Sequence, residues 1–500
     1  MQNGVLLFNP RSAERKFRIP NSVLQIAASI NATRSWRIVD GNRESDPLSV
    51  LISELNTGKY RHVGFTVMPG PQLKQAIPFA KTIKDRFPGV HMIWGGYFAS
   101  NQHRAVLRSG YVDVVVNGPG DHAFPQLLDA LENDQPLDGI KNLIFEKDGE
   151  IVKTPKEDLV DFDLLPPLPY DKLHDQYDIP TYLGRTYLGD RTLAYHSSFG
   201  CPFTCSFCAV VPIYRARWKG MSASRMFSDI KMIKDRWEAD SIEFHDNNFF
   251  VSEKRVAEFS KLMLDMEMSW WGEGRIDTID RYSDETLALM KDAGCKMIFF
   301  GAESGNDEVL KKMDKGGTQT AEQIIAFAKR MKKFGIIPEY SFVLGTPADT
   351  PQQAMKQIDD DIRFIKKVKD ANPDTEIIIY VYSPVPTEGS DMYEQVKNTG
   401  FRFPEKLEDW LNPEWEHFDL RKNPLTPWLS PEMVDKILDF ETVLNARYPT
   451  VSDIRLNGFA RLVMKSLSGW RYITGVYKWP YELKVLQRMW SYRQPEIQGF

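Results

Sequence analysis

The 500-residue sequence predicts an α/β protein in three parts. A doubly wound parallel sheet is expected over residues 1–148. A partial barrel of six strand–helix units is expected over 191–400, and a mainly helical region over 401–500, with 149–190 as a linker. Two observations carry this reading. Short apolar runs alternate with amphipathic stretches in two separate series, and a proline-rich stretch parts the series. Such alternation marks parallel sheets whose two faces are covered by helices. The length also calls for two or three domains.

In the first series the strand candidates are GVLLF (4–8), WRIVD (36–40), HVGFTV (62–67), VHMIW (90–94) and VDVVV (112–116). Helical stretches such as PQLKQAIPFAKTIKDRF (71–87) separate them. Five such units make a flavodoxin-like, Rossmann-type sheet, which binds ligands at the carboxyl ends of its strands. PGP (69–71), GGYF (95–98) and NGPGD (117–121) follow strand candidates directly. Glycine there lets a bulky ligand approach the backbone; ordinary turn glycines are the competing reading.

The linker carries DFDLLPPLPYDKL, proline-rich and without a clean period. The second series then offers TLAYHS (192–197), SIEFH (241–245), KMIFFG (296–301), YSFVLG (340–345) and EIIIYVY (376–382), with a weaker candidate at SWWGEG (269–274). SRMFSDIKMIKDRW and TAEQIIAFAKRMKKFG are the clearest intervening helices. A relative of the (β/α)₈ barrel with six units follows, its site at the strand C-terminal ends.

Composition narrows the function classes. Hydrophobic content of 42% supports sizeable cores, and a net charge of −5 carries no polyanion-binding signature, so no nucleic-acid partner is expected. Four cysteines are too few for a disulfide scaffold and fit a reducing compartment. The opening MQNGVLLFNPRSAERK lacks the features of a signal peptide, and no apolar run is long enough to span a bilayer. A cytoplasmic protein is expected.

Three of those cysteines crowd into FGCPFTCSFCAV (199–210) as C-x₃-C-x₂-C. A zinc site wants four ligands, usually as two separated pairs, and His196 is the only nearby imidazole. A disulfide would leave one thiol over. Unrelated buried thiols rarely share one loop after a barrel strand. An iron–sulfur cluster held by Cys201, Cys205 and Cys208 remains, with one iron open. Cys295 precedes a strand far from the trio and reads as a small core residue.

This motif, with aromatic Phe207 before its third cysteine, resembles that of the radical SAM superfamily, and supporting segments follow in family order. FHDNNFF (244–250) resembles the segment that meets the amino group of S-adenosylmethionine, which points to Asp246 and Asn247. GRID (274–277) resembles the arginine-bearing end of the third strand; Arg275 would pair with the cofactor carboxylate or with a structural Asp. FFGAESGNDEVLKKMDKG (299–316) resembles the fourth-strand motif, with Glu303 on the ribose and Ser304 beside it. SFVLGTPADT (341–350) resembles the fifth, placing Gly345 near the adenine, and YSPVPTEGSDMYE (382–394) the sixth. The resemblance implies a 4Fe–4S cluster, S-adenosylmethionine, and an electron donor such as flavodoxin or ferredoxin.

The first domain in turn resembles the cobalamin-binding class of that superfamily, through IWGGYFASNQHRAVLRSGYVDVVVNGPGDHAFPQLLDAL (93–131). That class often has His two residues after the Gly-Gly pair; here Phe98 stands there. No D-x-H-x-x-G occurs in the domain, so no cobalt-ligating histidine is evident. The resemblance places cobalamin at the strand ends, near Asn9, Thr66, Gly95, Gly96, Gly118 and Gly120.

The function this implies is an enzyme that cleaves S-adenosylmethionine to a 5′-deoxyadenosyl radical and methylates an unactivated carbon of a small-molecule or lipid substrate. A non-methylating member of the class, an oxidative cyclase or ring-rearranging enzyme, is the alternative. A redox- or cobalamin-sensing binding protein is the alternative of another kind; it would need no S-adenosylmethionine site. Residues 451–500 hold eight Lys/Arg against three Asp/Glu, with nine aromatics. Within them, residues 466–493 read either as a peripheral membrane contact or as an amphipathic helix packed on its own domain.

Overall fold

The computed structural model describes residues 4–12, 17–315, 318–384, 391–416, 426–451, 453 and 456–490. Its first sheet holds β1 (Gly4–Asn9), β2 (Trp36–Asp40), β3 (Tyr60–Thr66), β4 (His91–Gly95) and β5 (Val114–Val116). These run parallel in the order β2-β1-β3-β4-β5, the flavodoxin-like winding. β1 is buried along its whole length, which explains its unbroken apolar run. Val5 and Leu7 join the core on one face, beside Val23 and Leu127, while Leu6 and Phe8 join the other, beside Leu51 and Ile77.

A hairpin of β6 (Leu143–Lys147) and β7 (Glu150–Lys153) adds antiparallel strands to the β5 edge. The sheet therefore runs past residue 148, because the hairpin's second strand pairs with its first rather than starting the linker. The stretch that follows is extended but packed. It buries Phe162, Tyr170, Leu173, Ile179 and Tyr182, and the Tyr182 hydroxyl donates to Asp40 at 2.8 Å.

The second sheet comprises β8 (Thr192–Tyr195), then, after a small antiparallel pair β9 (Ser198–Gly200) and β10 (Trp218–Gly220), β11 (Ser241–Phe244), β12 (Ser269–Gly274), β13 (Cys295–Glu303), β14 (Ile337–Leu344) and β15 (Glu376–Val381). The six main strands are all parallel and lie in chain order from β8 to β15. Sequence chemistry starts each covering helix cleanly. Ser222, Ser252, Ser283, Thr320 and Thr350 stand at helix N-caps and accept from the backbone N–H three residues on. Trp270, Phe244, Phe249 and Phe259 fill the space between strands and helices.

Beyond β15 the chain turns helical, with helices at Pro431–Arg447, Gly458–Thr474 and Tyr481–Trp490. Before them, Trp410 and Trp415 fold back onto the first domain's core, where Trp410 meets Phe98 edge-on at 5.0 Å. No local pattern in the sequence signals this bridge between the first domain and the region beyond the barrel. Residues 385–390 of the sixth motif and 491–493 of the aromatic tail lie outside the described residues.

Candidate active site

The carboxyl ends of the two sheets meet at the cysteine loop. β9 ends at Gly200, with φ +72 and the Arg217 carbonyl standing where a Cβ would go, so only glycine passes there. The loop then carries Cys201, Cys205 and Cys208, all free and partly buried. The Cys208 N–H closes a turn on the Cys205 carbonyl at 3.1 Å. Burial pushes the Cys201 and Cys208 thiols up, Cys208 to about 12. Among the described residues no three His, Cys, Asp or Glu side chains converge closely enough for a single metal ion. Three thiols on one loop are the ligand set that suits an iron–sulfur cluster. Cys295 is fully buried at the start of β13, the opposite end of the barrel.

Arg275 supplies positive charge beside the trio. Its Nη1 donates to the Cys205 sulfur at 3.1 Å, its Nε and Nη2 grip Asp277 at 2.9 and 3.0 Å, and its guanidinium lies 3.9 Å over the Phe203 ring. Arg275 thus engages Asp277, the structural Asp among the partners expected for it. Asn248, not the exposed Asn247, reaches a cysteine: its Nδ2 lies 3.9 Å from Cys201, and its Oδ1 is buried without a partner among the described residues.

Asp246 is buried under the loop. It accepts from the Ser197 N–H at 3.1 Å, the Ser197 hydroxyl at 2.9 Å and the Ser198 hydroxyl. Burial raises its pKa, against the pull of Arg255. The carboxylate expected to face the cofactor thus anchors the backbone entering the cysteine loop. Glu303, at φ +64 on a bulge of β13, pairs with Lys315 at 2.6 Å, and both are buried. Lys315 also lies 5.7 Å from the Phe207 ring, which ties Glu303 to the cysteine loop. Ser304 does not face the site: its hydroxyl donates to buried Asp361 at 2.8 Å. Gly345, at φ +78, is covered by Leu429 and accepts from the Trp428 indole at 2.9 Å.

The first domain presents its β4 end to this loop. Asn101 donates to the Ala209 carbonyl at 3.2 Å, and the Cys208 sulfur, after burial, helps raise the pKa of the Tyr97 hydroxyl. Gly96, at φ +87, is exposed here, and a Cβ would stand 2.9 Å from the Val67 nitrogen. Gly95 and Thr66 adjoin it, and Gly118 lies against Ile213 of the segment after the cysteines. Two other residues expected at the cobalamin point inward. Gly120 is buried, and a Cβ there would meet the end of the Ile26 side chain at 2.6 Å. Asn9 is buried and donates to Asp40 at 3.0 Å, so it closes the β1–β2 end.

Inside the barrel lies a polar group that sequence reasoning missed. Trp270 faces the helices, so strand alternation turns Trp271 and Glu273 inward. The Trp271 indole donates to Glu339 at 3.1 Å, and His245 lies 5.7 Å from its ring. The first domain reaches in: Arg18 pairs with Glu243 and approaches His245 at 3.0 Å, while Asn21 donates to the Ala194 carbonyl at 3.0 Å. Burial would raise Glu243, but the Arg18 guanidinium holds it down at about 2. Burial pushes Glu273 up to about 8, while the His245 and Arg18 charges act to lower His196, which stands exposed. The lumen thus offers the His245 imidazole, its pKa lowered by burial, and a protonated carboxyl near neutral pH, with exposed His196 6.0 Å from His245. Alternating inward positions of SIEFH and SWWGEG were the signal available for finding them.

Comparison with known proteins agrees with this layout. The chain matches the family model described as B12 binding domain over residues 14–128 and that of the radical SAM superfamily over 195–365. It is 27% identical over 357 residues to an uncharacterized methyltransferase of Pyrococcus horikoshii, covering 70% of this chain and 73% of that one. It is 24% identical over 402 residues to an anaerobic magnesium-protoporphyrin IX monomethyl ester cyclase of Rubrivivax gelatinosus, covering 77% and 64%. The solved radical S-adenosylmethionine methyltransferase TsrM from Kitasatospora setae, with tryptophan substrate and a SAM analog bound, shares the fold. Its TM-score is 0.68 at 16% identity, over 98% of this chain and 100% of that one.

Proposed function

From a chain that carries a B12 binding domain followed by a radical SAM domain, we propose an enzyme that methylates an unactivated carbon of a small-molecule or lipid substrate, using S-adenosylmethionine, a 4Fe–4S cluster and cobalamin. One observation carries the proposal: the glycine turn at Gly95–Gly96 and the cysteine segment share one contact surface, through Asn101, which donates to the Ala209 carbonyl. A methyl carrier on the first domain and a radical source on the second would then face one substrate. When bound, these groups supply methyl transfer and one-electron cleavage of S-adenosylmethionine.

The protein's own residues hold and orient. Cys201, Cys205 and Cys208 would ligate the cluster, with Arg275 offsetting its charge and Asn248 beside Cys201. Glu303 would accept from the ribose hydroxyls while Lys315 holds its carboxylate in place. Thr66, Gly95, Gly96 and Gly118 would line the corrin. The substrate would enter the lumen, where Glu273, His196 and His245 offer hydrogen bonds and Trp271 an apolar wall. A reductant such as flavodoxin or ferredoxin, in the cytoplasm, would supply electrons.

Likeness to the cyclase favours a second reading, ring formation without methyl transfer. Product stoichiometry separates the two. Methylation consumes two S-adenosylmethionines, so S-adenosylhomocysteine and 5′-deoxyadenosine should accumulate about equally, with deuterated methyl reaching the substrate. Deoxyadenosine without matching S-adenosylhomocysteine and without label transfer would establish the cyclase reading instead.

A further inference from the structure

The C-terminal helical layer carries an apolar face that nothing among the described residues covers. On the helix Gly458–Thr474, Phe459, Leu462, Leu467, Trp470 and Ile473 recur at helical spacing on one stripe, with Phe459 72% and Ile473 74% exposed. The turn after it adds Val476 and Trp479, and the helix Tyr481–Trp490 adds Tyr481, Val485 and Met489, all exposed. The opposite side of the first helix packs inward through Ala460, Met464 and Ser468, so the stripe is surplus to the fold. A contiguous exposed apolar surface of this kind marks an interaction site.

Charge says what kind of surface it meets. The one acid of this helix pair, Glu482, is taken by Arg471. Lys465, Lys478 and Arg488, on the same two helices and the turn between them, are exposed as well. Lys465 also lines a cavity of about 410 Å³ at the amino ends of β14 and β15. Lys332, Lys369 and Arg447 line the same cavity, facing the acids Asp374 and Glu376. Lys369 is spent on the carbonyls of Pro373 and Thr375, and Glu376 on the Val451 N–H. Arg447 buries an Nε with no partner among the described residues. A cation-lined cavity beside an aromatic-rich apolar stripe suits an anionic headgroup above acyl chains.

We propose that residues 458–490 dock the protein on an anionic lipid bilayer, with the apolar stripe entering the interface and the cavity at Lys332, Arg447 and Lys465 receiving a phosphate headgroup. This holds whichever reaction the barrel performs. The full chain should float with vesicles of phosphatidylcholine and phosphatidylglycerol, and much less with phosphatidylcholine alone. Raising the salt should weaken binding, because part of the attraction is screened. Trp470→Ser with Ile473→Ser should cut the bound fraction at least about tenfold, from the lost apolar burial. Lys332→Ala with Lys465→Ala should abolish the preference for phosphatidylglycerol. All four side chains lie outside the core, so thermal melting should not move. No flotation, or flotation indifferent to both pairs of substitutions, overturns the proposal. So does a dimer that the apolar pair dissolves while vesicles are ignored, or vesicle binding that appears only once residues 491–500 are removed.

Discussion

Arg275 holds Asp277 with two nitrogens and turns a third toward the Cys205 sulfur. The fork fixes the guanidinium plane, and the Phe203 ring beneath it closes the remaining side. Lysine cannot reproduce two parallel bonds and a third direction at once. Arg275→Lys should leave Asp277 poorly paired in a buried place, at a cost of about 3 kcal/mol in denaturant unfolding. The anaerobically reconstituted variant should also retain less iron. Unchanged stability together with unchanged iron content would remove Arg275 from the cysteine site.

The cysteine trio itself makes a sharper test. Reconstituted protein should hold about four irons and four sulfides per chain if one cubane is ligated. Replacing Cys201, Cys205 and Cys208 together by Ala should abolish iron binding. Cys295→Ala should not, since that thiol lies at the far end of β13 and is fully buried. Iron retained by the triple variant would sink the assignment.

Glu303 and Lys315 form a buried pair 2.6 Å apart, and the two members should respond unequally. Lys315→Met strands a buried carboxylate, which costs roughly 3–5 kcal/mol. Glu303→Gln keeps the shape and a hydrogen-bonding group, so stability should fall less, while affinity for S-adenosylmethionine drops. Calorimetric binding alongside thermal melting distinguishes these. Equal loss of stability in both variants, with binding intact, would make Glu303 purely structural.

The strand order and the cysteine loop were legible because period and spacing are local properties of the chain. The five runs from GVLLF to VDVVV each became a strand, and C-x₃-C-x₂-C follows the first barrel strand after the short strand Ser198–Gly200. What was not legible depends on which neighbour reaches a side chain first. Asn247 and Asn248 are adjacent and chemically alike, yet only Asn248 turns toward Cys201, because Asn247 is exposed. Asp246 has the composition of a ligand but is claimed by Ser197 and Ser198. Gly120 looks like a ligand-facing glycine and lies buried against Ile26. Arg18 meets Glu243 across more than two hundred residues, a pairing no local pattern encodes.

Glu273 yields a prediction about pH. Its carboxyl faces the barrel lumen, and burial, then the nearby Asp246, raises its pKa to about 8. In the unfolded chain a glutamate titrates near ~4.3. Below that value both states hold the proton and the group contributes nothing to pH dependence. As pH rises toward 8 the unfolded chain releases the proton and the folded chain keeps it. The folded state then binds more protons, so stability falls with rising pH at up to about 1.4 kcal/mol per unit for this group. Above 8 both states are ionised and the slope vanishes, leaving the full penalty in place. Glu273→Gln removes the titration and keeps the shape. Relative to the parent chain it should therefore be more stable in mildly alkaline buffer by a few kcal/mol, with the advantage shrinking to nothing in acid. Thermal melts of both proteins across that range supply the comparison. An advantage that stays constant with pH would mean that the Glu273 carboxyl is ionised in the fold, and that the lumen holds no protonated acid at neutral pH.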